Sequence, residues 1–498
     1  MINSKIFKNV ITGFGGQLIA IVLGLIVPHF FITSYGSDIN GLLSTITQIF
    51  TYMALLEAGI GQAAKNLLYK PFQEKDKDKI SEIYSVAKSY FRRFTLRYAI
   101  GVIVIAFILP FILKTNVDAL TIIMIVLFEG MSGVVSFYFV ETPSIIIGVD
   151  GKNYVNNSIT LLNRIVGYIV KIVMAALGLN VILLQFVFFL VTIIKVFFYE
   201  TYFKKNYSWI KFEKISKSIK LQDRNSYIIT EITSTVFNST DMIVLSAFLS
   251  TQLSSVYGIY NLVFANLALL LSSVYLSVAY LLGYSYHNNK EKYIQLHDTF
   301  NSVFYGAITA IMMVCYFLTI PFVTLYTDGV TDIDYIYESL PLMFCLVQLL
   351  SWARFIGGNL IGIAGRVKKA VWINILEAVI NITCSIYYVQ KLGIVGVLFA
   401  TVIALIPKAI YCNYVGDKII LNRSCWNTIK ILGTNFILFF VVVLIKPYIH
   451  MEINSYLSFG LYGIGLSLLS FTIVMLINAL LNPYMTQYVM KVIKDRKA

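Results

Sequence analysis

The sequence is short of charge. Asp, Glu, Lys and Arg make up 13% of its 498 residues, against about 25% in an ordinary soluble domain. With 58% hydrophobic residues and a mean hydropathy of +0.77, the deficit places the chain in a membrane. Cysteine is sparse and scattered: Cys315, Cys345, Cys384, Cys412 and Cys425 show no CxxC spacing. That pattern excludes a disulfide framework and a zinc site. The four histidines form no HExxH cluster, so neither a metal nor a bound cofactor is expected. No secretory leader stands out. The first apolar run, 10–33, is too long for the core of a signal peptide and lacks a small-residue cleavage site, so it reads as a retained span.

What is present is a series of apolar runs, each about 20 residues long. They predict an all-α polytopic membrane protein with about 14 transmembrane helices. The spans fall near 10–33, 39–67, 94–113, 119–147, 157–177 and 180–202. After a basic stretch they resume near 226–249, 254–283, 298–326, 335–364, 370–390, 393–415, 431–449 and 456–481. The implied organisation is an N-terminal six-helix lobe (1–203), a basic cytoplasmic linker (204–225) and a C-terminal six-helix lobe (226–415). Two extra helices and a basic tail follow (416–498).

The formal charge of +14 reflects topology before it reflects function. With a cytoplasmic N-terminus, the inner segments collect Lys65 through Arg97, Lys204 through Arg224, Arg366 to Lys369 and Lys491 to Lys497. The outer turns keep Lys114, Lys391 and Lys446. Both termini are therefore expected in the cytoplasm, in a cell membrane. Residues 209–220 carry Trp209, Phe212, Ile215 and Ile219 along one side with lysines around them. This suits a helix lying on an anionic leaflet, or a solvated basic linker.

The two halves echo each other. Ile147-Gly148-Val149-Asp150-Gly151-Lys152 matches Ile361-Gly362-Ile363-Ala364-Gly365-Arg366. An even number of spans per half makes the repeat parallel, which allows a cargo site between two bundles and alternating access.

Polar residues recur at helical spacing inside the spans. Glu231, Ser234, Thr235, Asn238 and Asp241 share one face of the seventh span. Asn40, Ser44, Thr47, Gln48, Thr51, Gln62, Lys65 and Asn66 share one face of the second, and Ser254, Tyr257, Asn261, Ser272, Tyr275 and Tyr286 one side of the eighth. Such faces avoid lipid, so they meet either a water-filled cavity or another helix. The reading taken is a cavity for a polar, anionic cargo. Asp241 and Glu231 are candidates for a coupling ion, H+ or Na+. Arg164 and Lys171, seven apart in the fifth span, suit a phosphate or pyrophosphate, with Lys171 the freer of the two. Acids such as Glu129 or Glu141 are the competing partners. Arg354 and Glu377 flank a short inner loop at similar depth and are expected to form a structural ion pair, with Glu141 and Arg164 as its sign-reversed counterpart.

The chain resembles the polysaccharide-transporter (Wzx-type) flippases of the multidrug/oligosaccharidyl-lipid/polysaccharide exporter (MOP) superfamily. The resemblance rests on Tyr35-Gly36 followed by N-G-L-L-S (40–44), on L-L-E-A-G-I-G-Q-A (55–63) and on the charged Lys70-Pro71 loop. It rests also on F-N-S-T-D-M-I-V-L-S-A-F (237–248) followed by V-Y-G-I-Y-N (256–261). It covers essentially the whole chain. It implies two six-helix lobes around a cationic lumen, and an undecaprenyl-pyrophosphate-linked oligosaccharide moved from the inner to the outer leaflet. The setting would be O-antigen or capsule biosynthesis, alongside membrane lipids and polysaccharide assembly proteins, with no nucleic acid. The alternatives are a cation-coupled multidrug exporter of the same superfamily and a membrane polysaccharide polymerase or acyltransferase. The short outer loops, and the want of a catalytic motif around His29 and His450, disfavour an enzyme.

Overall fold

The computed structural model describes residues 2–212, 235, 239–366, 368–449 and 451–482. The helices are α1 (Ile2–Glu74), α2 (Lys77–Ile112), α3 (Ala119–Phe139), α4 (Glu141–Val149), α5 (Asn153–Ala176) and α6 (Val181–Asn206). They continue with α7 (Ser239–Phe248), α8 (Thr251–Asn288), α9 (Lys290–Tyr326), α10 (Leu340–Ile363), α11 (Lys368–Leu392), α12 (Ile394–Tyr414), α13 (Trp426–Ile445) and α14 (Tyr456–Leu481). Among the described residues, twelve segments are long and apolar enough to cross a membrane. One of these covers the first two expected spans, because α1 continues through a sharp break at Gly36 (φ 81°, ψ 171°). The described part of the seventh expected span is the ten-residue α7.

Two expected boundaries are corrected. The predicted span 119–147 is not one helix: it breaks at Val140, and α4 starts afresh at Glu141. Pro143 is the cause visible in the sequence, since a residue without an N–H fits the first turn of a helix and not its interior. The twelfth span runs past 415 as a π-helical extension, Val415–Leu421, and stops at Asn422 in the left-handed region.

The chain forms two compact units. The first comprises Met1–Val256 with Gly329–Ile333, and the second Tyr257–Asp328 with Asp334–Ala498. The division thus falls after Val256, within α8. In the first unit, α1 packs on α2 and α5, and α3 on α2 and α6. Its core centres on Phe94, Tyr98 and Phe137, whose ring centroids lie 5.0–5.8 Å apart. In the second unit, α12 packs on α10 and α11, and α9 receives α13 and α14.

The last two helices are attached to α9 by polar contacts, which hold helices together where lipid competes equally for apolar faces. Asn435 of α13 and Asn478 of α14 exchange amide hydrogen bonds at 2.9 and 3.1 Å, both fully buried. Near their ends Arg423 donates twice to Asp298 of α9, at 2.7 Å each, and through Nε to Asp417 at 2.7 Å. Burial opposes the charge on Arg423, but its two carboxylate partners outweigh that and raise its pKa.

The internal repeat appears as repeated local geometry. Gly151 (φ 74°) and Gly365 (φ 67°) each close a helix C-terminus in the left-handed region. Lys152 N bonds Ile147 O at 3.1 Å, and Arg366 N bonds Ile361 O at 3.0 Å, one turn in two copies. Each turn is then tied to the chain at the far end of a later helix, α6 in the first unit and α12 in the second. Lys152 Nζ meets Asp150 at 2.7 Å, Asp150 accepts from Tyr207 just beyond α6, and Arg366 donates to Ile419 O beyond α12.

Within the first unit, α1 and the start of α8 approach until their backbones touch. A Cβ at Gly41 would sit 1.7 Å from Thr251 O. Gly41→Ala is therefore expected to cost about 1–3 kcal/mol or more and to reduce the yield of monodisperse protein. Gly433→Ala, where a Cβ meets open space, is expected to leave the yield unchanged in the same size-exclusion assay.

Candidate functional site

Membrane helices tolerate ionised side chains only with partners or water. Each unit carries a set of three within its helices. In the second, Glu377 of α11 is 2% exposed and is gripped from both sides. Arg354 of α10 donates from Nη1 to its carboxylate at 2.9 and 3.3 Å, and Lys408 of α12 reaches Oε2 at 2.5 Å. The sequence reading placed Arg354 opposite Glu377 but gave Lys408 no role. Asn381 and Thr401, bonded at 2.9 Å, join the same two helices nearby. A cavity of about 280 Å³ opens beside Arg354, Asn359, Asn374 and Lys408.

The first unit carries charges at matching positions. Glu141, Arg164 and Lys195 precede Arg354, Glu377 and Lys408 by 213 positions, one fewer than the 214 that separate the two repeated turns. The signs of the first two are exchanged, and that exchange changes the contacts. Among the described residues, no hydrogen bond or ion pair joins Arg164 to Glu141, so the expected counterpart pair is not formed. Glu141 sits in the first turn of α4, where a helix N-terminus favours an anion. The charges that act on it are Lys195 and Lys65, and Lys195 in turn feels Arg164. Two cations thus act on one acid, and a third acts on one of them.

Glu141, Arg164 and Lys195 line a polar cavity of about 290 Å³ with Asn153, Asn156, Asn157, Thr160 and Tyr199. Asn156 donates to Ser144 O at 2.9 Å and to Asn153 Oδ1 at 3.1 Å, while its own Oδ1 is buried with no hydrogen-bond partner. Arg164 is exposed. The arrangement brings a guanidinium and an ammonium to one small volume beside a single carboxylate, and the two cations are the groups that would bind an oxyanion.

Several expected site residues lie elsewhere. Lys171 is not the freer cation. Its Nζ lies 4.0 Å from the ring centroid of Phe188 and 5.9 Å from that of Phe31, and Glu129 is the acid that acts on it. Those rings come from α6 and α1, so the spacing on α5 gave no hint of them, and Lys171 does not join Arg164 in the cavity. Asn40, expected on a wet face, is 7% exposed and donates to Ser255 at 2.8 Å. The neighbouring Thr45 pairs with Ser246, and Ser246 with Ser254, at 2.6 and 2.7 Å. This part of the polar face is a helix contact. The face of the eighth span is likewise packed at Ser254, Tyr257 and Tyr275, the last two against Phe344 and Phe355. Farther along α1, Ser44 and Gln48 are half-buried and Thr51 is exposed, its hydroxyl turned to the carbonyl of Thr47. Asn261 is half-buried on α8. Asp241 is buried on α7 beside Tyr52, whose hydroxyl pairs with Thr240 at 2.5 Å. Glu231 and Asn238 lie outside the described residues. Lys195 and Asn156 were missed as site members. The constant offset that links Lys195 to Lys408 was the available signal.

These features define a multi-pass membrane protein with a duplicated helical architecture. The same fold occurs in transporters of the MOP superfamily. The chain is similar to the lipid II flippase MurJ in an inward closed conformation, at 16% identity and TM-score 0.66, covering 93% of this chain and 98% of that one. It is similar to an inward-facing multidrug resistance MATE family transporter of the MOP superfamily, at 14% identity and TM-score 0.65, covering 83% and 96%. It is also similar to the MATE multidrug transporter DinF-BH, at 14% identity and TM-score 0.59, covering 85% and 96%. No protein-family model and no curated protein sequence matches the chain.

Glu377 holds two cations, so its removal leaves both uncompensated. Glu377→Ala is expected to destabilise by about 3–5 kcal/mol, and more than Arg354→Ala, which leaves the Lys408 contact in place. The double change Arg354→Ala with Glu377→Ala should cost less than the sum of the two single changes when thermal stability is measured in detergent. Additive losses would contradict the coupling.

Proposed function

We propose that this protein is a flippase that moves an undecaprenyl-pyrophosphate-linked oligosaccharide across the cell membrane by alternating access, for surface polysaccharide biosynthesis. The carrying observation is the cationic polar cavity of the first unit, where Arg164 and Lys195 stand exposed or half-buried around a single acid. A pyrophosphate carries the complementary charge and accepts from guanidinium and amide donors at once. The sugar hydroxyls of such a cargo suit Asn153, Asn157 and Thr160. The fold is shared by a protein titled lipid II flippase and by multidrug transporters. Between these, an excess of positive charge favours an anionic cargo over a cationic drug.

In this reading Arg164 and Lys195 bind the pyrophosphate, and Lys171 supports the helix packing. Arg164→Ala and Lys195→Met are each expected to lower surface glycan at least about tenfold, as expected when a charge-assisted contact to cargo is lost. Protein abundance should stay near wild type. Lys171→Met is expected to lower abundance and glycan in proportion. Normal glycan in the Arg164→Ala, Lys195→Met double variant at normal abundance would refute the assignment.

A further inference from the structure

A second basic site lies in the first unit, on residues that the cargo cavity does not use. Two adjoining cavities, of about 500 and 370 Å³, share Lys88 and Tyr138. They are walled by α2, by the α3–α4 break and by the end of α6. Lys88, Arg92 and Arg93 of α2 supply the charge, and Tyr84 and Tyr138 the hydroxyls. The acid on the wall, Glu200, is already matched by Lys204 at 3.0 Å. Lys88 is held in place by the Tyr84 hydroxyl at 3.3 Å and by the Tyr84 and Phe212 rings, at 5.4 and 6.0 Å to their centroids. Arg92 and Arg93 are exposed.

The face of α2 that continues from these arginines is apolar and open. Leu96, Ile100, Ile103, Phe107 and Phe111 are 66%, 56%, 52%, 57% and 89% exposed. At about 100° per residue they fall in the same sector of the helix as Arg92 and Arg93. From Leu96 to Phe107 the helix rises about 16 Å, close to the depth of one leaflet's hydrocarbon. The other side of the pocket ends in interfacial aromatics, with Lys77 placed 5.6 Å over the Trp209 ring and Phe212 exposed. Cations at the top, tyrosine hydroxyls around them and a lipid-exposed apolar track below have the chemistry of a phospholipid anchor point.

We propose that this pocket binds the phosphate-bearing headgroup of an anionic membrane lipid, with Lys88, Arg92 and Arg93 on the phosphate and the acyl chains along Leu96 to Phe107. The site is distinct from the Arg164 cavity, and its occupant is a resident lipid, not the transported cargo.

The test uses the full-length protein in nanodiscs of phosphatidylcholine with a small fraction of photoactivatable phosphatidylglycerol. Label mapped by mass spectrometry is expected on Tyr138, Phe212 or the Leu96–Phe107 track. The Lys88→Met, Arg92→Gln, Arg93→Gln variant is expected to lose roughly tenfold or more of that label, since each Lys or Arg near an anionic surface contributes to the attraction. Inorganic phosphate at millimolar concentration should not compete. Label spread evenly over the lipid-facing helices of the wild-type protein would overturn the proposal, a result that needs no variant to fold. Undiminished label in the triple variant would also overturn it. So would displacement by inorganic phosphate as effective as by phosphatidylglycerol, because the pocket would then be a general anion patch.

Discussion

An ionised side chain inside a membrane helix must be met by an opposite charge or by water, and this constraint shapes both units. The second unit meets it with opposite charge. Its acid, Glu377, stands on α11 between the cations of α10 and α12, and so touches both. The first unit places its charges at the same three positions but puts the cation, Arg164, on the corresponding helix α5. A central acid can join two flanking cations, whereas a central cation beside Lys195 cannot satisfy both itself and its neighbour. The remaining charge needs solvent or an anion, and the cavity at Arg164 supplies room for either. A duplicated scaffold has thus been given a closed charge cluster in one copy and an open one in the other by exchanging two signs.

Much of the scaffold was legible because its signals are local. Apolar run length locates the spans, and the two glycine turns at 151 and 365 show the duplication in the sequence itself. Their backbone hydrogen bonds then proved to be the same in both copies. Depth relative to a shared turn was enough to set Arg354 and Glu377 opposite each other. The break at Val140 was missed because the hydrophobic run continues across it, and only Pro143 marks the new helix start.

The site was less legible, for a physical reason. Periodicity shows which residues share a helix face but not what that face meets. Asn40 and Ser44 occupy one face of α1, yet Asn40 is sealed against Ser255 while Ser44 is half-buried. The clue lay in the residue beside them: Gly41 has no room for a Cβ, so a backbone had to be passing there. Where lipid is as apolar as leucine, such small residues with hydroxyl pairs, here Thr45, Ser246 and Ser254, bring helices together. Lys171 misled for a related reason. Its aromatic neighbours Phe31 and Phe188 come from other helices, and one-dimensional spacing is silent about them.

The fold alone does not distinguish cargoes, since it is shared by a protein titled as a lipid flippase and by others titled as drug transporters. Function in such a scaffold is set by the sign and exposure of a few groups. The decisive groups here are those that depart from the repeat. A charge kept alike in both copies, such as Lys195 with Lys408, serves the shared architecture in at least one of them, where it is locked to Glu377. A charge whose sign differs between copies cannot be required by that architecture. Arg164, which stands where the second unit has an acid and lines an open polar cavity with Glu141 and Lys195, is the residue on which the proposed anion site of the first unit rests.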